Sequence, residues 1–381
     1  MEDSSSPARQ ASGRRRPSPA VHEGRSFGRA PFIVIWEVTR ACALACLHCR
    51  ADAIPHRSPF ELTTDEATVL IGQVSAFGDP PPLFVLTGGD PMRRPDLAQL
   101  VSRAAHAGLT VALTPSGTAA ATRSRLVELR DAGVSRIAVS LDGVGADTHD
   151  RFRGVRGSYA WTMKIIAAAT ELGIPLQINT TVARLTLPQL RAIAGRMREL
   201  PIVLWAVFFL IATGRGAALE QITPEECEDV LSFLHDLAPR VPFGIKTTEA
   251  PHFQRIARQQ PHDTDIGRPG RAQRSVTDGN GFVFIDHLGQ ICPSGFLPVA
   301  CGNVRRDSLV SVYRDHELFV RLRNPDAFEG KCGRCEFRGV CGGSRARAFA
   351  ATGSPTGSDP LCAYDPPPRD DAMAEHAGTE L

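Results

Sequence analysis

The feature that most constrains the fold is a regular alternation of short β-rich runs with helical patterns between residues 32 and 211. Glycines such as Gly108, Gly133 and Gly173 follow several of the helical patterns, and glycine commonly ends a helix. Strand–helix alternation predicts a parallel sheet with helices packed outside it. Predicted strands cover residues 32–38, 83–86, 110–114, 136–141, 176–182 and 202–211, and predicted helices cover 65–77, 95–107, 122–132, 159–172 and 188–199.

Six strands are too few to close an eight-stranded barrel. We therefore predict an α/β fold in which residues 29–253 form a partial (βα)6 TIM-type barrel, with its chemistry on the loops at the C-terminal strand ends. The polar stretch 254–277 predicts a linker, and 278–366 predicts a small C-terminal domain that opens with a hairpin. The two ends, 1–28 and 367–381, have the composition of disordered tails.

The charge balance gives no support for a nucleic-acid or membrane partner, because the formal net charge is only +2. The longest apolar run, residues 202–212, is shorter than the roughly 20 residues that span a bilayer. Arg14, Arg15 and Arg16 are not followed by the apolar stretch of an export signal. We therefore predict a soluble, cytoplasmic protein.

The first of two cysteine clusters follows the first predicted strand. Cys42, Cys46 and Cys49 have C-x3-C-x2-C spacing, and thiolates at this density suit zinc or an iron–sulfur cluster. Three cysteines on a four-iron cluster would leave one iron with an open position, which S-adenosylmethionine (SAM) could fill through its amino and carboxylate groups. The alternatives are a zinc site completed by His48 and a redox-active thiol group.

Polar residues and glycines follow the other predicted strands, at the same edge of the sheet. Paired glycines let the backbone approach a ligand closely, and a carboxylate can accept hydrogen bonds from an amine. Ordinary turn chemistry is the alternative at each position. The candidate cofactor-binding residues at these strand ends are Gly88, Gly89, Asp90, Ser140, Asp142, Asn179 and Arg215.

The second cysteine cluster, Cys332, Cys335, Cys341 and Cys362, offers four thiolates and so a closed site. Spacing alone leaves zinc and a second four-iron cluster open, and the predicted redox site upstream favours the cluster.

Three further cysteines are assigned no metal. Cys227 lies in a helical pattern and is predicted to be a buried thiol, while Cys292 and Cys301 lack recognisable partners. Glu249 and His252 follow the last barrel strand, where substrate would enter, and are candidate catalytic residues. A surface position at a linker is the alternative for both.

These motifs resemble those of the radical SAM superfamily, and within it the group with a SPASM or twitch-type C-terminal domain. The resemblance covers roughly residues 30 to 366 and rests on the two cysteine clusters, the turn at 88–90 and the segment 140–154. The segments 293–298, 302–304 and 341–348 are similar to the heme-pathway branch, whose enzymes act on propionate side chains of tetrapyrroles. Arg345 stands where the full SPASM pattern has a further cysteine, so one auxiliary cluster is expected.

The resemblance implies an enzyme that reductively cleaves SAM to a 5′-deoxyadenosyl radical and abstracts hydrogen from a substrate. It implies two [4Fe–4S] clusters and an external electron donor such as flavodoxin or ferredoxin. The expected substrate is a tetrapyrrole or another small cofactor precursor. A ribosomally made peptide is the alternative substrate, and a zinc or iron–sulfur scaffold without activity is the alternative to an enzyme.

Overall fold

The computed structural model describes residues 27–261 and 276–368. Its strands are β1 Ile33–Glu37, β2 Leu83–Thr87, β3 Val111–Leu113, β4 Val134–Ser140, β5 Leu176–Val182, β6 Leu204–Phe209, β7 Gly244–Thr248, β8 Phe282–Ile285, β9 Gln290–Cys292 and β10 Gly302–Asn303. Its helices are α1 Thr64–Ser75, α2 Leu97–His106, α3 Arg123–Ala132, α4 Ala146–Arg153, α5 Ser158–Glu171, α6 Leu190–Glu199, α7 Pro224–Leu237, α8 His252–Gln259, α9 Leu309–Asp315, α10 Glu317–Arg323, α11 Gly330–Arg334 and α12 Arg345–Thr352.

One sheet runs through the described part of the chain in the order β10-β9-β8-β1-β2-β3-β4-β5-β6-β7. Neighbours from β8 through β1 to β7 are parallel, and β9 and β10 are antiparallel additions at one edge. The predicted parallel partial barrel is confirmed. It is wider than six strands, because β7 extends one side and β8 the other.

The predicted C-terminal hairpin is therefore part of the barrel sheet. β8 pairs with β1 along its whole length, and the backbone N–H groups of Phe32 and Ile33 both donate to the carbonyl of Gly281, at 2.8 and 3.1 Å. Such pairing between distant segments leaves no periodic signal in the sequence. The C-terminal region and the barrel consequently share a backbone hydrogen-bond ladder.

The two faces of the sheet differ in character. Residues such as Trp36, Phe84 and Trp205 point to the helices and belong to the main apolar core. The opposite, concave face has a small apolar cluster around Ile33 and Val85. Alternation along each strand fixes this division, since successive side chains point to opposite faces.

Two helices of the barrel region differ from the prediction. α4 was missed because its sequence is too polar to show a helical period of apolar residues. It packs against the barrel through buried Phe152 and His149. α8 corrects the predicted linker, because residues 254–259 are helical. The polar side of α8 is held by tertiary contacts that include an ion pair from Arg255 to Glu228 on α7.

The predicted tails and most of the predicted linker lie outside the described residues. Within the described ranges, no helix is both long and apolar enough to cross a bilayer.

Candidate active site and cysteine clusters

The loop that follows β1 brings Cys42, Cys46 and Cys49 together. The Leu44 N–H lies 3.3 Å from the Cys42 sulfur, and the Ala53 N–H lies 3.4 Å from the Cys49 sulfur. Donors of this kind stabilise sulfur that carries negative charge and tune the potential of a bound cluster.

Burial controls the protonation of these thiols. It raises the pKa of Cys42 to about 11 and also raises the pKa of Cys46, although the Arg153 guanidinium opposes it at Cys46. When free, the thiols of Cys42 and Cys46 are therefore protonated at neutral pH. A metal centre must displace those protons to bind, as thiolate ligation always requires.

Glycines from the ends of three neighbouring elements, β2, α4 and β6, press against the cysteine loop. A β-carbon at Gly89 would lie 2.5 Å from the carbonyl oxygen of Arg40. One at Gly154 would lie 2.3 Å from the carbonyl oxygen of Ala45, and one at Gly214 would lie 2.5 Å from that of Cys49. Each contact is closer than any side chain tolerates, so the loop is shaped by backbone packed directly on backbone.

Contrary to the prediction, Asp90 does not face the open side of this site. It is fully buried; one carboxylate oxygen accepts from the Thr118 hydroxyl at 2.7 Å, and the other accepts from the backbone N–H groups of Met92 and Ser116. Its own N–H donates to the Ala41 carbonyl at 2.7 Å. Asp90 thus fixes the turn at 88–90 against the cysteine loop, and direct contact with SAM is not supported for its side chain.

Asp142 is likewise buried behind the loop. One oxygen accepts from Arg153 Nε at 2.8 Å and the other from the Thr181 N–H at 2.7 Å. Arg153 in turn reaches the sulfur of Cys46 at 3.8 Å. Direct contact of the Asp142 side chain with SAM, as predicted, is not supported, because its carboxylate is occupied by Arg153 and Thr181; it positions Arg153 beside the sulfur of Cys46.

Ser140 and Asn179 are the predicted residues that remain on the concave face. They are register partners on β4 and β5, and the residues beside them in sequence, Val139 and Ile178, point into the helix-side core. The Asn179 side-chain oxygen accepts from Gln177 at 2.7 Å. Ser140 ends β4, and Asn179 lies on the same face in the middle of β5.

Arg215 closes the cysteine loop from the β6 side. Its Nε donates to the carbonyl of Cys46 at 2.9 Å and one Nη to that of Ala53 at 3.1 Å. Among the residues that the structure describes, the other Nη is buried without a hydrogen-bond partner. Arg215 therefore holds the two ends of the loop together and keeps one donor free.

His48 does not complete a metal site with the three thiols. Its ring stacks on Phe152 with centroids 4.1 Å apart, and burial lowers its pKa to about 3. The imidazole is therefore neutral, and it packs beneath the loop.

Residues that the sequence analysis missed also support the first cluster. The Ser116 hydroxyl donates to the Gly89 carbonyl at 2.6 Å and lies 3.6 Å from the Cys42 sulfur. Its position just past β3 could have identified Ser116 in the sequence, because the other candidate residues also follow strands. Arg50 pairs with buried Glu37 at 2.9 Å, and Glu37 also contacts His287 at 2.9 Å; this long-range pairing has no sequence signal.

The four C-terminal cysteines gather around the start of α12. The Asp359 N–H lies 3.4 Å from the Cys332 sulfur, and the Gly343 N–H lies 3.4 Å from the Cys341 sulfur. Fully buried Arg345 lies 3.4 Å from the Cys332 sulfur and donates to the Gly357 carbonyl at 2.7 Å. The residue that departs from the full SPASM pattern is therefore an anchor of this site.

His252 and Glu249 belong to this second site, which corrects their prediction as substrate residues. His252 is buried with Nε2 3.1 Å from Asp359; although burial opposes a charge, the carboxylate raises the pKa of His252, and the ring also contacts the Cys362 thiol. Glu249 accepts from the Ser344 hydroxyl at 2.5 Å. Burial and the carboxyl of Asp278 raise its pKa well above the usual range.

Both groups of thiols have surroundings that suit thiolate ligands of a cluster. Within residues 27–261 and 276–368, no three His, Cys, Asp or Glu side chains converge tightly enough to hold a single metal ion. The ligands of a four-iron cluster stand further apart, because each binds a different iron. Three thiols in one loop and four around α12, each set with N–H donors to sulfur, fit an open and a closed cluster.

A parallel partial barrel with three thiols on its first loop defines a class of radical enzyme, and comparison with known proteins agrees. The model of the radical SAM superfamily matches residues 36–193. The chain is 42% identical to the AdoMet-dependent heme synthase of Oleidesulfovibrio alaskensis, over 88% of this chain and 87% of the relative. It is 38% identical to the AdoMet-dependent heme synthase of Methanosarcina barkeri, over 88% of this chain and 97% of that one.

The chain therefore belongs to the radical SAM superfamily, and to its heme-synthesis-like branch. Among solved structures, Streptococcus suis SuiB bound to precursor peptide SuiA superposes with a TM-score of 0.67 at 17% identity, covering 88% of this chain and 76% of SuiB. That likeness establishes a shared fold. As a member of this superfamily, the protein is a radical SAM enzyme that uses SAM, a [4Fe–4S] cluster and an electron donor.

Proposed function

We propose that this protein takes hydrogen from propionate side chains of a tetrapyrrole in a late step of heme formation. The observation that carries the proposal is the 42% identity to an AdoMet-dependent heme synthase across 88% of the chain. When bound, a cluster with SAM at the three-thiol loop supplies a 5′-deoxyadenosyl radical, and a cluster at the four-thiol site supplies an acceptor for the electron left on the substrate.

The residues of the chain have three tasks in this proposal. Cys42, Cys46 and Cys49 hold the first cluster, and the glycine backbone at 88–89 and 214 fixes their loop. Ser140 and Asn179, register partners on the concave face, orient SAM. The buried surroundings of Cys42 and Cys46 exclude water, which protects a radical from side reactions.

The second site is proposed to be an auxiliary four-iron cluster held by Cys332, Cys335, Cys341 and Cys362. His252 contacts the thiol of Cys362, and Arg345 lies beside the sulfur of Cys332. Positive groups near sulfur stabilise a more reduced cluster. The site is therefore suited to receiving an electron.

The experiment is an anaerobic assay with SAM, reduced flavodoxin and iron coproporphyrin III, an iron tetrapyrrole with four propionates. We expect 5′-deoxyadenosine together with conversion of the porphyrin to heme, in which two propionates each lose one hydrogen atom, one electron and CO2 to become vinyl groups. Both products are measured by mass spectrometry. Cys46→Ala is the negative control and should give neither product. Cleavage of SAM with no change in the porphyrin would contradict the tetrapyrrole assignment and leave a peptide substrate as the alternative.

A further inference from the structure

Two cationic side chains point into the barrel and are used by no part of the mechanism above. Arg136 lies on β4, where Ile137 beside it packs into the helix-side core, so Arg136 faces the concave side. Lys246 lies on β7, where Ile245 packs against that same core, so Lys246 also faces the concave side. Because successive side chains alternate between the two faces of a strand, both cations point into the interior of the barrel.

The strand register places Lys246 level with the proposed SAM contacts. Lys246 pairs with Ala206, Ala206 with Asn179, and Asn179 with Ser140. Arg136 lies lower on β4, two residues below Ala138. Between the two cations on the concave face lie Gln177 and Asn179 of β5 and Ala206 of β6.

Neither cation has an ion-pair partner within residues 27–261 and 276–368, although the Glu249 carboxyl lies near enough to act on Lys246. Arg136 and Lys246 take part in none of the ion pairs or side-chain hydrogen bonds formed there, in contrast to Arg50, Arg94 and Arg153. Burial lowers the pKa of Arg136, and burial together with Arg136 lowers the pKa of Lys246. Solvent reaches Lys246, but two like charges that face one barrel interior remain unfavourable until an anion joins them.

The barrel wall at the level of Arg136 is apolar. Ile33, Val85 and Ala112 form it, with Leu83 and Phe282 packed beside them. A ligand that suits this interior has an apolar body and carries negative charge at its edge. Carboxylate is the anion that a guanidinium and an ammonium bind together most directly.

We propose that Arg136 and Lys246 form a carboxylate-binding pair that holds propionate groups of the tetrapyrrole substrate inside the barrel. The proposal rests on the proposed function for the identity of that substrate. It adds the residues that recognise the substrate and the part of the substrate they bind. The carboxylates anchored by this pair are set against the strand ends where the reaction takes place.

The test compares binding of coproporphyrin III with binding of its tetramethyl ester, which has the same ring and no carboxylates. Dissociation constants are measured by fluorescence on anaerobically reconstituted protein with SAM present. The variants are Arg136→Gln and Lys246→Met, with Lys246→Arg as the charge-retaining variant. Exposed Arg198→Gln and Lys164→Met are matched controls for loss of charge, and unfolding midpoints report whether each variant is folded.

We expect wild type and both controls to prefer the free acid over the ester. Arg136→Gln and Lys246→Met should each weaken acid binding by about tenfold or more, the loss expected for one charge-assisted hydrogen bond. Neither should change ester binding, and Lys246→Arg should retain most of the preference. A preference that survives in both variants, or an equal loss for acid and ester, would overturn the pair while leaving the proposed function intact. Wild type that binds neither porphyrin would refute the tetrapyrrole substrate itself, and the pair with it.

Discussion

Arg153 links a buried carboxylate to a cluster ligand, and single contacts of this kind support much of the site. Its guanidinium is 13% exposed and its partner Asp142 is fully buried. Although burial opposes ionisation, Arg153 holds the pKa of Asp142 below its usual range. The pair is therefore charged at neutral pH, and the cost of burying it is offset only while both partners are present.

Asp142→Asn should lower the free energy of unfolding by about 3–5 kcal/mol, the usual cost of leaving one charge of a buried pair uncompensated. Denaturant unfolding of the metal-free protein, under reducing conditions, measures this. Glu171→Gln is the matched control, because the Arg123–Glu171 pair is 57% and 61% exposed and exposed pairs contribute little. Equal stability of the two variants would show that the buried pair is not a structural support.

At the scale of elements, the cysteine loop is shaped by the ends of the elements around it. Gly154 ends α4 with a left-handed backbone, φ +69°, and packs against Ala45. Gly173 follows α5 with a similar φ of +66°, and a β-carbon at that position would meet nothing within 4 Å. The two glycines have the same conformational requirement and differ only in their contact with the loop.

Gly154→Ala should therefore displace the cysteine loop and lower the iron bound there, while Gly173→Ala should not. Both variants carry the strain of a left-handed alanine, about 1–2 kcal/mol. Iron per chain after anaerobic reconstitution measures the difference. Full iron in Gly154→Ala would mean that the loop tolerates the displacement and that the close packing is not required for ligation.

The elements that the sequence predicted well are those with a local signal. The periodic spacing of apolar residues and the glycines at helix ends predict β1 to β6 and the helices between them, apart from α4. The spacing of Cys42, Cys46 and Cys49 is also a local signal. The position of β8 beside β1 and the helical state of 254–259 depend on contacts with distant segments. Asp90 and His252 were assigned to the right loops, but the inward orientation of their side chains depends on distant partners, Thr118 and Asp359, that no local pattern reveals.

At the scale of the whole molecule, the C-terminal region is bound to the barrel at both cysteine sites. Arg50 of the first loop reaches the Gly295 carbonyl at 3.4 Å, and Arg347 of α12 donates to the Glu249 carbonyl at 2.8 Å. β8 adds a shared ladder of backbone hydrogen bonds. The two thiol groups are thus parts of one framework, as an electron path between them and a common substrate requires.

The central claim is that the chain holds two four-iron clusters, one open at Cys42, Cys46 and Cys49 and one closed at Cys332, Cys335, Cys341 and Cys362. Metal analysis of anaerobically reconstituted protein tests it most directly. We expect about eight irons per chain, and about four in a Cys335→Ala, Cys341→Ala double variant that still cleaves SAM to 5′-deoxyadenosine. Wild-type protein with about four irons and one zinc per chain would contradict the claim, because tetrahedral zinc accepts no electron.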